Sequence, residues 1–250
     1  MHVLLVKTSS LGDVIHNLPV VSDIRRHFPD AEIDWCVEES FAAIPRLHPG
    51  VREIIPVAIR RWRKQLTKTA TWREIAAFRQ QIAAKPYAAV IDTQGLVKSA
   101  LLARRAKGPR LGYAADSARE PLAARCYDRT FHIARDLHAV VRNRLLAAAA
   151  LGYATAGEPD YGIDTVPGAF PWLAHRPYVV FLTATSRDDK LWPETNWLAL
   201  GRHLNGLGFS CVLPGGSAVE RERASRLASA IPGAVVAPAM TIPDLAGLLA

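Results

Sequence analysis

The stretch that decides the fold is MHVLLVKTSSLGDVIHNLPV, residues 1–20. Its apolar run VLLVK, residues 3–7, is followed by a loop of serine and glycine, which is typical of a buried parallel strand. Beyond the loop, apolar residues recur at helical spacing, at Val14, Ile15, Leu18 and Val21. A strand, a short polar loop and a helix in this order predict the first unit of an α/β fold.

The same alternation continues along the chain. Further strands are predicted at residues 32–39, 52–57 and 87–92, and helices at 72–84 and 96–106. Strands that alternate with helices of ten or more residues indicate βαβ units, in which the strands form a parallel sheet.

A segment rich in proline and glycine, residues 156–177, interrupts the pattern, which then restarts. Beyond it we predict three strands and three helices, at 178–185, 194–208, 209–216, 219–231, 233–239 and 242–250. The expected organisation is a first α/β domain over 1–165, a linker over 166–177 and a second α/β domain over 178–250. We expect the second domain to be incomplete here, because so small a sheet has an uncovered edge and a small core.

The composition excludes several classes of protein. Half of the 250 residues are apolar and 22% are charged, which is ordinary globular composition. The three cysteines, Cys36, Cys126 and Cys211, are far apart, which argues against a disulfide framework or a structural zinc site and suits a reducing compartment. No apolar run approaches the ~20 residues that span a membrane, and the first run is too short for a signal-peptide core.

The positive charge is unevenly distributed. The formal net charge is +8, yet residues 178–250 carry six basic and six acidic residues. The whole excess therefore lies in residues 1–177, and we expect this part to meet an anionic partner. Nucleic acid, phospholipid and an acidic sugar all satisfy that expectation, and charge alone does not choose among them.

The loop TSSLGD, residues 8–13, is the first candidate site, because a small polar loop leading into a helix suits anion binding. Asp13 has two interpretations. It is either a first-turn acid favoured by the helix dipole, or a general base at the carboxyl edge of the sheet, where doubly wound folds bind ligands. His16, three residues later, is a plausible local partner.

A basic cluster follows in VAIRRWRKQLTK, residues 57–68, in which Trp62 lies among the cations Arg60, Arg61, Arg63, Lys64 and Lys68. It is either a solvated charged loop, a clamp for phosphate or carboxylate, or a nucleic-acid patch.

Two candidate sites lie in the second domain. In TATSRDDKLWPETNW, residues 183–197, hydroxyls and Lys190 could hold a diphosphate, or the segment is a polar turn in which Asp188 or Asp189 pairs with Lys190. In LPGGS, residues 213–217, two glycines permit a ligand to approach the backbone, with Glu220 just inside the next helix; the alternative is a plain turn.

Five stretches, VKTSSLGDVIHNLPV, PVAIRRWRK, DTQGLVKSA, SAREPLA and TATSRDDKLWPE, together resemble the lipopolysaccharide heptosyltransferase I family. The resemblance extends over essentially the whole chain. It implies the GT-B glycosyltransferase fold, in which two Rossmann-like domains face each other across a cleft. The donor would bind mainly in the C-terminal domain and the acceptor in the N-terminal one.

The resemblance also assigns roles to residues. Asp13 would be the catalytic base, and Lys190 would assist it at the donor. The donor's diphosphate would face Thr185, Ser186 and Lys190, its ribose Glu220 and its adenine Met240. The acceptor-side candidates are Lys7, Arg60, Arg61, Arg63, Lys64 and Arg119.

The implied reaction moves L-glycero-D-manno-heptose from ADP-heptose to the Kdo of Kdo2-lipid A with inversion. It would need no metal or other cofactor. The enzyme would be cytoplasmic and peripheral at the inner membrane, and would not bind nucleic acid. The family's Asp-Thr-Gly-x-x-His motif and its returning final helix do not occur within residues 1–250, so we expect part of the donor site to be missing here.

Three alternatives stay open at this point. The first is a related core heptosyltransferase with a different acceptor. The second is a nucleotide-sugar epimerase of the same fold. The third is a basic module that binds nucleic acid or anionic surfaces.

Overall fold

The computed structural model describes residues 1–173, 177–185 and 187–250, and the chain forms two compact units, Met1–Asp164 and Thr165–Ala250. The first unit contains a parallel sheet whose six strands lie in the order β3-β2-β1-β4-β5-β6. In chain order these strands are β1 His2–Val6, β2 Glu32–Glu38, β3 Val51–Val57, β4 Ala89–Asp92, β5 Arg110–Tyr113 and β6 Arg129–Phe131.

Helices connect the strands of this sheet. They are α1 Leu11–Ile15, α2 Leu18–His27, α3 Ala43–Arg46, α4 Ile59–Trp62, α5 Thr69–Ile82, α6 Val97–Ala103 and α7 Ala139–Leu151. Short 3₁₀ turns occupy Glu39–Phe41 and Pro121–Cys126. The strand predictions at 32–39, 52–57 and 87–92 are confirmed as β2, β3 and β4.

The helix predicted after β1 is two helices. The chain ends α1 at Ile15 and starts α2 at Leu18, with Pro19 in its first turn. Proline lacks an amide hydrogen and its ring clashes with the carbonyl four residues earlier, so it is tolerated at a helix start and not in a helix interior. Pro19 thus explains why one apolar periodicity becomes two helices.

The core of the first unit lies on the sheet. Leu4 and Val6 of β1 are fully buried, as are the apolar side chains Val90 and Ile91 of β4. Trp62 and Phe78, from α4 and α5, pack edge to face with ring centroids 5.9 Å apart and close one side of this core. The central strands β1 and β4 are therefore covered on both faces, as a parallel sheet requires.

The second unit contains the parallel strands β7 Tyr178–Val180, β8 Ser210–Leu213 and β9 Val235–Val236, in the order β7-β8-β9. Its helices are α8 Glu194–Gly206, α9 Ala218–Ala230 and α10 Ile242–Leu249, and Asp188–Lys190 forms a 3₁₀ turn. Each predicted strand here is longer than the observed one. After β7 the amide of Thr183 donates to Phe181 O at 3.1 Å, which turns the chain away from β8.

Two apolar clusters cover the two faces of the second sheet. Phe181, Cys211 and Leu213 belong to one, and Val212 and Ala237 to the other, which follows the period of two along a strand. The segment predicted as a linker, residues 166–177, lies within the bounds of this unit, and its side chains Phe170, Trp172 and Leu173 pack against the second cluster.

In the described residues, none of the helices combines the length and the apolar character needed to cross a membrane.

Candidate active site

A pocket of about 290 Å³ opens at the carboxyl end of the first sheet, where β1, β4 and β5 end. Four cationic side chains and one carboxylate line it together with neutral polar groups. The lining residues are Lys7, Asp13, Thr93, Gln94, Tyr113, Arg119, Arg135, Ala139, Arg142 and Asn143. An excess of cations around a single acid suits an anionic ligand that also has a proton to lose.

Asp13 lies both in a helix cap and at the pocket. Its Oδ2 accepts hydrogen bonds from the amide of Ser10 at 2.8 Å and from the Ser10 hydroxyl at 3.0 Å, which forms a capping box at the start of α1. In the described part of the chain only Ser10 donates to this carboxylate. Asp13 is thus a first-turn acid, as one of its two interpretations predicted. Its Oδ1 accepts none of the hydrogen bonds from Ser10.

Lys7 follows β1 directly and is only 6% exposed. Its ammonium donates to Thr93 O at 2.8 Å and to Asn143 Oδ1 at 3.4 Å. Burial lowers the pKa of Lys7 to about 8, although the nearby carboxylates of Asp13 and Asp92 favour its charged form. Lys7 is therefore a cation that titrates close to physiological pH.

Asn143 of α7 connects the walls of the pocket. It accepts from the Tyr113 hydroxyl at 3.2 Å and from Lys7, and its amide donates to His16 O at 3.2 Å. This side chain thereby ties α7 to the carboxyl ends of β1 and β5. His16 itself packs against His138, with ring centroids 5.3 Å apart, and burial lowers the pKa of His16.

Gln94 holds the loop that leads to Asp13. The carbonyl oxygen of this buried side chain accepts from the Thr8 amide at 2.7 Å, the Ser9 amide at 3.2 Å and the Thr8 hydroxyl at 3.1 Å. Its amide donates to Ser9 O. The Gln94 side chain thus fixes the backbone between β1 and α1 from both its donor and its acceptor groups.

Three arginines line the pocket, Arg119 from the connection after β5, Arg135 from the connection after β6 and Arg142 from α7. Arg119 was among the predicted acceptor-side residues, whereas Arg135 and Arg142 were not. The Arg142 guanidinium lies over the Tyr113 ring, 4.8 Å from its centroid, and donates to Ser117 O. Arg135 and Arg142 belong to no motif in the sequence, and only the fold brings them beside Asp13.

The Arg60–Lys64 cluster lies at the same edge of the sheet, after β3. Arg61 pairs with Glu39 at 2.9 Å and with Glu74 at 2.8 Å, and these contacts raise its pKa. Trp62 is 9% exposed and donates to Glu74 Oε2 at 2.7 Å, so this indole belongs to the core and not to a binding surface. Arg61 and Trp62 are thus already engaged within the protein.

The other cations of the cluster are more accessible. Arg60, Arg63 and Lys64 are exposed, and the Arg60 guanidinium lies over the Phe41 ring, 5.4 Å from its centroid. Arg60 and Lys64 line an open pocket of about 360 Å³ together with Glu38, whose pKa is raised by burial. These three cations, and not Arg61, are free to meet an anionic ligand.

The predicted donor residues of the second unit follow the carboxyl ends of its strands. Thr185 and Lys190 are exposed in the connection after β7, and Ser186 lies outside the described residues. Asp189 pairs with Arg187, not with Lys190 as the polar-turn alternative proposed. No acid among the described residues forms an ion pair with Lys190, so its ammonium is available.

Glu220 and Met240 follow β8 and β9 at the same edge. Glu220 Oε2 accepts from the amides of Gly216 at 2.8 Å and Ser217 at 2.9 Å, which makes it the acid of the capping box of α9. A Cβ on Gly215 would lie 2.9 Å from the Arg221 amide, so this turn requires glycine. Met240 is half-buried against the second apolar cluster.

Across the described ranges, no group of three or more histidine, cysteine, aspartate or glutamate side chains is placed to hold a metal ion.

Two parallel-sheet units, each with its polar loops gathered at the carboxyl edge of its strands, define a Rossmann-like α/β protein. The family described as glycosyltransferase family 9 (heptosyltransferase) matches residues 75–250. The chain is 48% identical to lipopolysaccharide heptosyltransferase 1 of Pseudomonas aeruginosa, an alignment that covers all of this chain and 71% of that protein.

Comparison with solved structures also finds heptosyltransferases. The structure described as E. coli heptosyltransferase WaaC with ADP is 46% identical and superposes with a TM-score of 0.92, covering 100% of this chain and 78% of that one. The complex with ADP-2-deoxy-2-fluoro heptose has a TM-score of 0.91 at 46% identity and is covered to 80%. The chain belongs to glycosyltransferase family 9, and the predicted fold class and enzyme class are confirmed.

Proposed function

We propose that this enzyme transfers L-glycero-D-manno-heptose from ADP-heptose to the Kdo of Kdo2-lipid A in lipopolysaccharide inner-core synthesis. The names of its relatives and the nucleotide complexes of the E. coli enzyme support this assignment. The observation that carries the mechanism is the placement of Asp13 in a pocket with Lys7, Arg119, Arg135 and Arg142.

On the acceptor side, the cations would hold the Kdo carboxylate while Asp13 meets the attacking hydroxyl. The hydroxyl oxygen attacks the anomeric carbon from the face opposite ADP, and its proton passes to Asp13. Ser10 keeps the carboxylate in place through Oδ2, which leaves Oδ1 to take the proton. The exposed cations Arg60, Arg63 and Lys64 would add contacts to the phosphates of lipid A.

On the donor side, the bond between the anomeric carbon and the diphosphate oxygen breaks, and ADP leaves with the electron pair. Lys190, Thr185 and Ser186 would stabilise the charge that develops on the diphosphate. Glu220 and Met240 would bind the ribose and the adenine. Lys190 and the two hydroxyls give the leaving group a counter-charge and hydrogen bonds from the protein itself, so we expect transfer to proceed in the presence of a chelator.

Replacing Asp13 tests the assignment of the base. Asp13→Asn keeps an oxygen for the Ser10 amide and removes the proton acceptor, so we expect kcat to fall by ~10²–10⁴ with ADP affinity unchanged. Asp116→Asn is the control, since Asp116 is an exposed acid of the same unit that pairs with His132. Heptose transfer by Asp13→Asn at the rate of the unmodified enzyme would refute the mechanism.

The lipid nature of the proposed acceptor also implies contact with a membrane. We place the enzyme in the cytoplasm, at the cytoplasmic face of the inner membrane, where an acceptor anchored by acyl chains would be presented to the first unit. The excess of positive charge in residues 1–177 supports this placement, because lipid A and anionic phospholipids carry negative charge.

A further inference from the structure

The loop before α5 and the first turn of that helix carry two exposed apolar side chains. Leu66 is 51% exposed and Trp72 is 55% exposed. The indole N–H of Trp72 donates to Leu66 O at 2.9 Å, which joins the two residues at the surface. Because that bond satisfies the only polar atom of the indole, the ring presents an apolar face to its surroundings.

This loop is ordered by successive turns. The amides of Lys64, Gln65 and Lys68 donate to carbonyls three residues earlier, at 3.1, 2.9 and 3.0 Å. Beneath the loop, Trp62 is buried and anchored to Glu74. The exposed pair of Leu66 and Trp72 therefore stands on a fixed backbone.

Cations flank the pair along the chain. Residues 60–79 contain seven basic residues and a single acid, Glu74, which is already bonded to Arg61 and Trp62. The exposed cations nearby are Arg63, Lys64, Lys68 and Arg73, and no acid among the described residues forms an ion pair with any of them. The local surface thus combines apolar area with uncompensated positive charge.

We propose that Leu66 and Trp72, with the cations Arg63, Lys64, Lys68 and Arg73, form a surface that docks on an anionic phospholipid bilayer. We call it the Trp72 surface. The indole and the leucine would insert at the level of the headgroups, and the cations would face the lipid phosphates. The proposal rests on the proposed function, since a lipid acceptor brings the enzyme to a bilayer.

The chemistry of the pair favours lipid over nucleic acid. An indole among cations can stack on a base, but a leucine has no π face and gains nothing from stacking. A leucine does gain free energy by leaving water for acyl chains, as the indole also does. The joined pair of Leu66 and Trp72 therefore matches the edge of a bilayer better than it matches a nucleic-acid strand.

Vesicle sedimentation tests the Trp72 surface. We expect the enzyme to bind vesicles of phosphatidylcholine mixed with phosphatidylglycerol, to bind pure phosphatidylcholine vesicles weakly, and to be released by salt. The double variant Leu66→Ser/Trp72→Ser should lower the partition coefficient about ten- to a hundredfold. Lys68→Gln/Arg73→Gln should lower binding to the mixed vesicles alone, and provides a second test with the apolar pair intact.

The control removes a similar exposed apolar pair elsewhere. Leu207 and Val219 of the second unit are 61% and 76% exposed, and Leu207→Ser/Val219→Ser should bind vesicles normally. Unchanged vesicle binding by both Trp72-surface variants would overturn the proposal. So would an enzyme that binds no vesicles but binds an oligonucleotide that the variants no longer bind.

Heptose transfer to a deacylated, water-soluble acceptor should be normal in both variants. Absence of this transfer in the unmodified enzyme would refute the proposed function instead.

Discussion

At the scale of single residues, Lys7 shows how burial sets the pH range of a site. Burial lowers its pKa to about 8, so its positive charge is lost as the pH rises through that value. We expect the KM for the acceptor to rise above pH ~8 and the KM for ADP-heptose to stay constant. Lys7→Gln should raise the acceptor KM about ten- to a hundredfold at neutral pH and flatten this dependence.

The control for Lys7 is Lys85→Gln. Lys85 is 43% exposed and pairs with Glu53 at 3.3 Å, away from the pocket. Both variants remove one charge from the first unit, so a general electrostatic effect would appear in both. An unaltered pH profile in Lys7→Gln would show that another group titrates.

Replacing Gln94 tests whether its side chain positions the loop before Asp13 for catalysis, in addition to stabilising the fold. Gln94→Leu leaves the amides of Thr8 and Ser9 without their partner and frees the loop before Asp13. Each buried group left unsatisfied costs about 1–3 kcal/mol. We expect a lower melting temperature and a kcat reduced at least about tenfold, with little change in the KM for ADP-heptose.

Gln94→Glu distinguishes the two effects of Gln94. A glutamate can still accept from both amides but cannot donate to Ser9 O, so it should recover stability only in part and should not recover kcat. Gln81→Leu is the matched control, because the Gln81 side chain donates a hydrogen bond to Glu53 at 3.1 Å at a partly exposed position. A kcat for Gln94→Leu equal to that of Gln81→Leu would rule out a positioning role.

At the scale of elements, a buried ion pair joins α2 to α7. The Arg144 guanidinium donates to Asp23 at 2.7 and 3.1 Å, with side-chain exposures of 7% and 1%, and also donates to Ala156 O and Gly157 O. Arg144→Met should cost about 3–5 kcal/mol of unfolding free energy, because it removes the buried, doubly hydrogen-bonded partner of the Asp23 carboxylate.

Arg26→Met provides the comparison for Arg144→Met. Arg26 lies 3.5 Å from the same carboxylate but is 47% exposed, and we expect its loss to cost at most about 1 kcal/mol. Denaturant unfolding of the two variants measures the difference. A loss for Arg144→Met no larger than that for Arg26→Met would mean that the buried pair stabilises the fold no more than the exposed one does.

The elements also show which parts of the fold the sequence can predict. The strands β1 to β4 are apolar enough to be recognised alone, and the observed bounds differ from the predicted ones by at most two residues. The strands β5 and β6, with sequences RLGY and RTF, have no apolar run, so their sequences alone do not predict them. They become strands because β5 pairs with β4 and β6 pairs with β5, which is a property of the folded sheet.

The same limit applies to the pocket. Asp13 and Lys7 flank a strand that the sequence predicts, so their place at a sheet edge could be inferred. Arg135 and Arg142 lie more than a hundred residues further along the chain, Arg135 before α7 and Arg142 within it, and α7 was not among the predicted helices. The place of these two arginines in the pocket depends on tertiary packing, and no local sequence motif predicts it.

At the scale of the whole molecule, the distribution of charge and polar loops supports different proposed roles for the two units, acceptor binding in the first and nucleotide binding in the second. Most of the excess charge and the cationic pocket lie in the first unit, and the loops proposed for the nucleotide lie in the second. Lys190→Ala should therefore weaken ADP binding about ten- to a hundredfold, whereas Asp13→Asn should not change it.

Calorimetry with ADP measures both variants, and Arg202→Ala is the control, since Arg202 is an exposed cation of the same unit. If Arg202→Ala loses as much ADP affinity as Lys190→Ala does, the loss reflects the net charge of the second unit and not a contact of Lys190 with the diphosphate. Loss in Asp13→Asn alone would reverse the roles of the two units.

Because Asp13 both completes the capping box of α1 and lines the pocket, a screen for soluble expression and a screen for a completed lipopolysaccharide would rank its replacements differently. Asparagine can still accept from the Ser10 amide, so it should pass the first screen and fail the second. Alanine loses the cap as well and should do worse in both. Abundance and fitness scores from one variant library should therefore diverge at position 13, most of all for asparagine.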